Sequence, residues 1–274
     1  MPRLGSSPFA FPDFRGATRR LILVNLAAYF LLLLVGFAAP LLAARMGFLL
    51  AFDPVPFVHG AFWQPLTYSF VHFGLLSTLF ELLSLWFLAG FLESYHNANW
   101  IVSLYAVSVL GTAVAALALY VCCSTLAPSL LAHAQPLYGC FGGLFGLLAA
   151  IGLLYGDTQF TLFPLPIGIK ARYLAVIYAL VSIALFFGDQ RMYAFAQLGG
   201  ALAGILFLRL APRRGFPFLF SESWYGMRNR YYRWKRRRVA RKFEVYMKQH
   251  GRTVRFDGQG RLIDEDPDDK TRWN

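Results

Sequence analysis

Long apolar runs, separated by short polar segments, dominate the first 210 residues of the chain. The first run, 21–42, contains no charged residue and directly follows Arg19 and Arg20. A helix of about 20 apolar residues is long enough to cross a hydrocarbon core of about 30 Å. The pattern predicts transmembrane helices at 21–42, 67–92, 99–121, 138–155, 171–187 and 192–210, with loops at 43–64 and 122–137 and a turn at 157–170.

Glycines are concentrated in the fourth and sixth of these runs. In the fourth run they leave one helical face almost free of side chains, and a glycine pair four residues apart repeats this pattern in the sixth. Such faces allow helices in lipid to pack with their backbones in contact. The residues predicted to pack helices together are Gly139, Gly142, Gly143, Gly146, Gly200 and Gly204.

Three polar residues are predicted to share one face of the second run. Ser77, Glu81 and Ser84 are separated by steps of four and three residues, which is the spacing of a single helical face. A carboxylate within a membrane span is costly, so this face should point into the bundle. Two interpretations of Glu81 stay open: a carboxyl group hydrogen-bonded to Gln197, Ser77 or Ser84, and a proton relay or polar contact for a client helix.

Composition and charge support a polytopic membrane protein with a basic tail. Hydrophobic residues make up 57% of the chain and charged residues 15%, which is a low charged fraction for a soluble domain. From Arg209 onward, 18 basic and 8 acidic residues supply +10 of the net charge of +12. Because cytoplasmic segments are enriched in Lys and Arg, both termini are predicted to lie in the cytoplasm.

Four segments follow from these patterns. They are a flexible cytoplasmic N-terminus at 1–18, a six-helix membrane domain at 19–211, a basic, aromatic juxtamembrane helical tail at 212–250 and a polar, acidic, disordered end at 251–274.

The basic tail is predicted to lie on the inner membrane surface. Val239, Phe243, Tyr246 and Met247 form an apolar stripe at helical spacing within 224–250. Basic side chains beside a membrane bind anionic lipids, and this reading is favoured over nucleic-acid binding, which the interleaved aromatic residues would also suit. The basic residues assigned to the membrane surface are Arg233, Lys235, Arg236, Arg237, Arg238, Arg241 and Lys242.

Cysteine and histidine spacing predicts neither a disulfide framework nor a metal site. The three cysteines, Cys122, Cys123 and Cys140, are an odd number without metal-ligand spacing. The five histidines are scattered along the chain at positions 59, 72, 96, 133 and 250. No metal and no other cofactor is therefore expected.

Four stretches, in order, carry a resemblance to a known family. They are 63–72 with Trp63 and His72, 79–86 around Glu81, Gly139-Cys140-Phe141-Gly142, and 196–204 with its glycine pair. Together they resemble the rhomboid family of intramembrane serine proteases over about 19–211. The resemblance implies an all-α, six-transmembrane-helix rhomboid-like bundle with a cytoplasmic C-terminal tail.

The departures from that family fall on its catalytic chemistry. Phe141 stands where the resemblance implies the nucleophilic serine, and Gln197 stands where it implies the histidine base. Ser77 and Glu81 replace the oxyanion donors. Hydrolysis needs a nucleophile and a base within hydrogen-bonding reach, and neither phenylalanine nor a glutamine amide can serve. The resemblance therefore implies a catalytically degenerate, pseudoprotease-like member rather than an enzyme.

The leading functional hypothesis is an integral membrane protein that binds or escorts transmembrane client proteins without cleaving them. Glu81, Phe141 and Gln197 are its predicted client contacts, and a bacterial inner membrane is the expected location. One alternative is an active intramembrane protease in which Cys140 is the nucleophile and His72 or His133 the base. A channel or transporter is disfavoured because no charged pathway is visible among the predicted spans.

Overall fold

The chain folds into a series of apolar helices, a short hairpin and a long basic helix. A computed structural model describes residues 12–126, 135–162, 167–188, 190–210, 216–250, 255–256 and 262–263. The chain divides into two units, Met1–Phe216 and Pro217–Asn274.

The described part of the first unit is almost entirely helical. Its α-helices are α1 (Gly16–Ala38), α2 (Pro40–Leu50), α3 (Pro54–Val58), α4 (Gln64–Thr67), α5 (Leu75–Glu93), α6 (Ala98–Leu126), α7 (Phe141–Leu154), α8 (Ala171–Phe186) and α9 (Arg191–Leu210). A 3-10 turn, Tyr68–Phe70, follows α4. Between α7 and α8, strands β1 (Gln159–Leu162) and β2 (Ile167–Lys170) pair antiparallel, so the predicted turn contains a hairpin.

Four helices within the described ranges are long and apolar enough to cross a membrane, namely α1, α5, α6 and α9. The helices α7 and α8 have 14 and 16 residues. At 1.5 Å per residue they are about 21 and 24 Å long, which is less than a typical hydrocarbon core. The membrane class of the fold thus agrees with the sequence, whereas two of the six predicted spans are short helices.

The predicted boundaries of the first two runs are wrong, and the local backbone explains why. The first run is divided because Pro40 lacks an N–H group and forces Ala39 out of the helical region, with φ −150°. Residues 43–64, expected to be a loop, contain most of α2 and all of α3. The second helix begins at Leu75 rather than at 67, because Gly74 adopts φ +82° just before it.

The helices α6, α7 and α9 pack closely through small residues. An ideal Cβ placed on Gly200 would lie 2.7 Å from the carbonyl oxygen of Gly142, and one on Gly204 would lie 2.8 Å from the Cα of Gly146. Cβ atoms on Gly142 and Gly143 would overlap α6, at Thr112 and Tyr105 respectively. Most of α7 is therefore buried, from Gly142 to Leu148 and at Ala150 and Ile151.

A glutamate at the end of α5 caps the beginning of α1. The carboxylate of Glu93 accepts hydrogen bonds from the backbone N–H groups of Ala17 (2.6 Å) and Thr18 (2.9 Å), and from the Thr18 hydroxyl (2.6 Å). These N–H groups belong to the first turn of α1, where no intrahelical acceptor is available. Gly16, at φ +59°, leaves room for this carboxylate.

The second unit contains one long helix and a minimal hairpin. The helix α10 (Phe216–Gln249) lies within the predicted helical tail at 212–250. Val239, Phe243 and Tyr246 are exposed along it. Strands β3 (Arg255–Phe256) and β4 (Leu262–Ile263) pair antiparallel. The acidic cluster at 264–269 and most of the predicted N-terminal segment lie outside the described residues.

We predict that Gly200→Ala destabilises the protein, because the added methyl group meets the α7 backbone at Gly142. Overpacking of a close helix contact costs about 1–3 kcal/mol. Gly36→Ala is the matched control, since its Cβ would meet nothing closer than Ala43 at 3.8 Å. The measurement is thermal unfolding in detergent. Equal melting temperatures for the two variants would contradict the close α7–α9 packing.

Candidate functional site

A buried polar cluster lies where the N-terminal ends of α5 and α7 meet. It consists of His72, which precedes α5, Glu81, on the second turn of α5, and Cys140, the residue before α7. The exposed fractions are 3% for His72, 5% for Glu81 and 0% for Cys140. The cluster therefore lies inside the protein and is shielded from both lipid and water.

Backbone hydrogen bonds position the segment that leads into α7. Phe52 and Leu137 exchange two backbone hydrogen bonds of 2.9 and 2.8 Å, and the Gly139 N–H group donates to the Tyr68 carbonyl. Gly139 adopts φ +89°, and a Cβ there would lie 2.6 Å from Oε2 of Glu81. Glycine is thus required at position 139 both by the backbone conformation and by the nearby carboxylate.

Glu81 caps α7 from the neighbouring helix. Its Oε2 atom accepts a hydrogen bond of 3.0 Å from the backbone N–H group of Cys140, and the Cys140 thiol lies 3.6 Å away as a second donor. A negative charge at a helix N-terminus is stabilised by the unpaired N–H groups and the helix dipole. The contact explains how a carboxylate is accommodated within an apolar bundle.

His72 faces the same carboxylate oxygen in an unusual arrangement. Its Nδ1 atom lies 3.2 Å from the Phe70 carbonyl oxygen, which can only accept a hydrogen bond, so Nδ1 carries the hydrogen. Its Nε2 atom lies 3.3 Å from Oε2 of Glu81. At this distance a protonated His72 forms an ion pair with Glu81, whereas Nε2 has no hydrogen-bond partner among the described residues.

The polar partners expected for Glu81 are not found beside it. Ser77 is exposed and donates to the Phe73 carbonyl at 2.6 Å, and Ser84 donates to the Phe80 carbonyl at 2.8 Å. Each hydroxyl bonds the preceding turn of its own helix, so neither needs the carboxylate. The Gln197 side chain instead accepts a hydrogen bond of 2.8 Å from Ser182.

Phe141 and Gln197 border a cavity that is too small for a client segment. The Phe141 ring packs edge to face against Tyr193, with 5.7 Å between the ring centres. The cavity between Tyr68, Phe141, Tyr193 and Gln197 has a volume of about 10 Å³. This volume is enough for about one water molecule. This cavity therefore has no room for a client helix, and the client contacts at Glu81, Phe141 and Gln197 stay predictions.

The cluster brings Cys140 and His72 together, the pair considered above as an alternative nucleophile and base. Both side chains are inaccessible, and Oε2 of Glu81 lies beside the sulfur. A substrate carbonyl has no path to the thiol in this arrangement. The other candidate base, His133, lies outside the described residues.

A ring nitrogen of His72, a carboxylate oxygen of Glu81 and Sγ of Cys140 all lie within 4.8 Å of one another. Sequence spacing missed this convergence because Cys140 is 59 residues from Glu81 in the chain. The one useful signal was Glu81 itself, since a carboxylate in a span requires polar partners. A cluster of this kind suits a metal ion better than hydrolysis of a peptide.

The chain matches the family described as "Eukaryotic integral membrane protein (DUF1751)" over residues 21–214. The chain belongs to this family. No curated protein sequence matches the chain. The DUF1751 match extends from α1 through α9 and confirms the prediction of an integral membrane protein.

Membership in DUF1751 corrects two expectations. The assignment to the rhomboid family is wrong, because the match is to a family with a different description. The motifs that suggested the rhomboid family are short glycine and apolar patterns, which recur in closely packed membrane helices of many kinds. The bacterial inner membrane is also unsupported, because DUF1751 is described as eukaryotic.

We predict that Glu81→Leu lowers stability by about 1.5–3 kcal/mol, the range typical of a lost hydrogen bond to a charged group. Glu81→Gln should cost less, because its amide oxygen can still accept from the Cys140 N–H group. Both variants remove the carboxylate charge, so the difference between their free energies of unfolding isolates the hydrogen bond from the Cys140 N–H group. Chemical denaturation in detergent measures it. Equal losses would show that Glu81 does not cap α7.

Proposed function

We propose that this DUF1751 protein binds a transmembrane segment of another membrane protein in a groove between α7, α8 and α9, without cleaving it. The groove has a volume of about 320 Å³. Its lining is apolar apart from Arg172. The lining residues are Phe145, Leu148, Ala149, Gly152, Leu153, Arg172, Ala175, Val176, Ala179, Ala201 and Ile205.

The small residues of this groove carry the proposal. Alanine and glycine line all three walls, at Ala149 and Gly152 on α7, Ala175 and Ala179 on α8, and Ala201 on α9. Helices associate in lipid through such small residues, because the backbones can approach closely. A groove with small side chains on every wall suits a helix better than a bulky polar ligand.

The same lining supports binding without hydrolysis. Among the described residues that line the groove, none carries a hydroxyl, thiol, imidazole or carboxyl group. Peptide hydrolysis requires a nucleophile activated by a base. A segment held in the groove would meet no such pair, and the His72–Glu81–Cys140 cluster is enclosed elsewhere in the bundle.

The proposed topology has six membrane passes with both termini in the cytosol. In this arrangement α7 and α8 are short passes, and α10 lies on the cytosolic leaflet, where its Lys and Arg side chains bind anionic lipids. Glycosylation-acceptor sites on flexible linkers test it. Sites inserted at Gly60 and Gly188 should be glycosylated, whereas sites at Asn97 and after Asn274 should not. Glycosylation after Asn274 would contradict both the topology and the lipid-binding tail.

Site-specific photocrosslinking in cells tests the groove. A photoreactive residue at Ala179 should trap full-length membrane proteins through their transmembrane segments. Leu180 is the matched control, because it is the next residue on α8 and is 58% exposed. Ala149→Phe, which fills the groove from α7, should lower the yield from position 179 and leave that from position 180 unchanged.

Two results would overturn this proposal. Identical proteins trapped at positions 179 and 180, with no effect of Ala149→Phe, would show that the groove does not select its occupant. Trapped proteins cut near their membrane segment would show that the chain cleaves what it binds.

A further inference from the structure

We propose that His72, Glu81 and Cys140 form a zinc site that joins the segment before α5, α5 itself and the start of α7. This goes beyond the proposed helix-binding function and is independent of the groove. The three side chains supply imidazole nitrogen, carboxylate oxygen and thiolate sulfur, and all three are buried. Zinc is bound in proteins by these three kinds of ligand.

The distances suit a zinc ion. Zinc bonds to nitrogen and oxygen are about 2.0–2.2 Å and those to thiolate sulfur about 2.3 Å, so ligand atoms of a tetrahedral site lie about 3.3–3.6 Å apart. Nε2 of His72 lies 3.3 Å from Oε2 of Glu81. Sγ of Cys140 lies 3.6 Å from the same oxygen. All three ligand atoms lie within 4.8 Å of one another.

The unpartnered nitrogen of His72 is the second, independent observation. Because Nδ1 donates to the Phe70 carbonyl, the Nε2 atom of a neutral His72 presents a lone pair towards the Glu81 carboxylate. Two lone pairs that face each other in a buried site repel, and a buried acceptor without a partner is costly. A cation between the two atoms satisfies both: a proton makes them an ion pair, and a metal ion also uses the Cys140 thiolate as a third ligand. A backbone carbonyl on the other ring nitrogen is also the usual support of a metal-bound histidine.

Charge and ligand type favour zinc over other common divalent ions. A zinc ion with one carboxylate, one thiolate and one neutral imidazole has no net charge, which is suitable for an apolar interior. Magnesium and calcium prefer oxygen ligands, so a thiolate and an imidazole disfavour them. Three protein ligands leave a fourth position open, as in zinc sites that hold water or a further ligand.

Metal analysis of the purified full-length protein tests the site. The protein is produced in zinc-supplemented cells with an affinity tag that contains no histidine, and its zinc content is measured by mass spectrometry. The wild type should retain about one zinc ion per chain. Cys140→Ser and His72→Gln should lower zinc affinity by more than the 10–100-fold or so that is typical of an outer-shell change.

The chain offers matched controls for both ligands. Cys123→Ser alters another buried cysteine, and His96→Gln alters a histidine outside the cluster. Both controls should keep their zinc. Zinc retained in full by both Cys140→Ser and His72→Gln, or a wild-type content no higher than theirs, would overturn the proposal.

Cobalt substitution reports directly on the thiolate ligand, because the wild-type spectrum itself shows whether sulfur binds the metal. Cobalt added to metal-free wild-type protein should produce a thiolate-to-cobalt charge-transfer band in the near ultraviolet. The band should persist in Cys123→Ser and disappear in Cys140→Ser. Its absence from folded wild-type protein would show that Cys140 is not a ligand.

Discussion

Two carboxylates on α5 each hold the N-terminus of another helix, and the arrangement of the bundle depends on these contacts. Glu93 receives the first N–H groups of α1, and Glu81 receives the N–H group of Cys140 before α7. Ala17, Thr18 and Cys140 are buried, so the N–H groups that begin these helices need acceptors within the protein. The two residues are 12 positions apart, or about 18 Å along α5, so one helix fixes two others at different depths.

Both contacts require a glycine at or just before the start of the capped helix. Gly16 and Gly139 adopt φ values of +59° and +89°, and a Cβ at either position would collide with the capping glutamate. Once α7 is fixed by Glu81, its glycine face meets α6 on one side and α9 on the other. The same placement brings Cys140 to Glu81 and His72, so the proposed metal site is a consequence of how α7 begins.

The sequence predicted the membrane class and the approximate positions of the long helices, because these depend on local apolar patterns. It also identified Gly200 and Gly204, which the structure places against α7. The sequence pattern did not predict α2 and α3, because both helices begin at a proline and lie where the pattern indicated a continuous apolar run or a loop. The partners of Glu81 could not be predicted, because backbone hydrogen bonds between residues far apart in the sequence position the loop before α7. These bonds join Leu137 to Phe52 and Gly139 to Tyr68. Family assignment failed because motifs made mainly of glycine and apolar residues report packing more than ancestry.

The central claim is that Glu81 and Glu93 act as separate caps of α7 and α1. Hydrogen exchange measured by mass spectrometry in detergent tests it most directly, with Glu81→Leu and Glu93→Ala compared with the wild type. The account predicts faster exchange around Cys140 alone in Glu81→Leu, and around Ala17 and Thr18 alone in Glu93→Ala. Unchanged exchange at both helix starts, or the same loss of protection throughout the bundle in both variants, would contradict it.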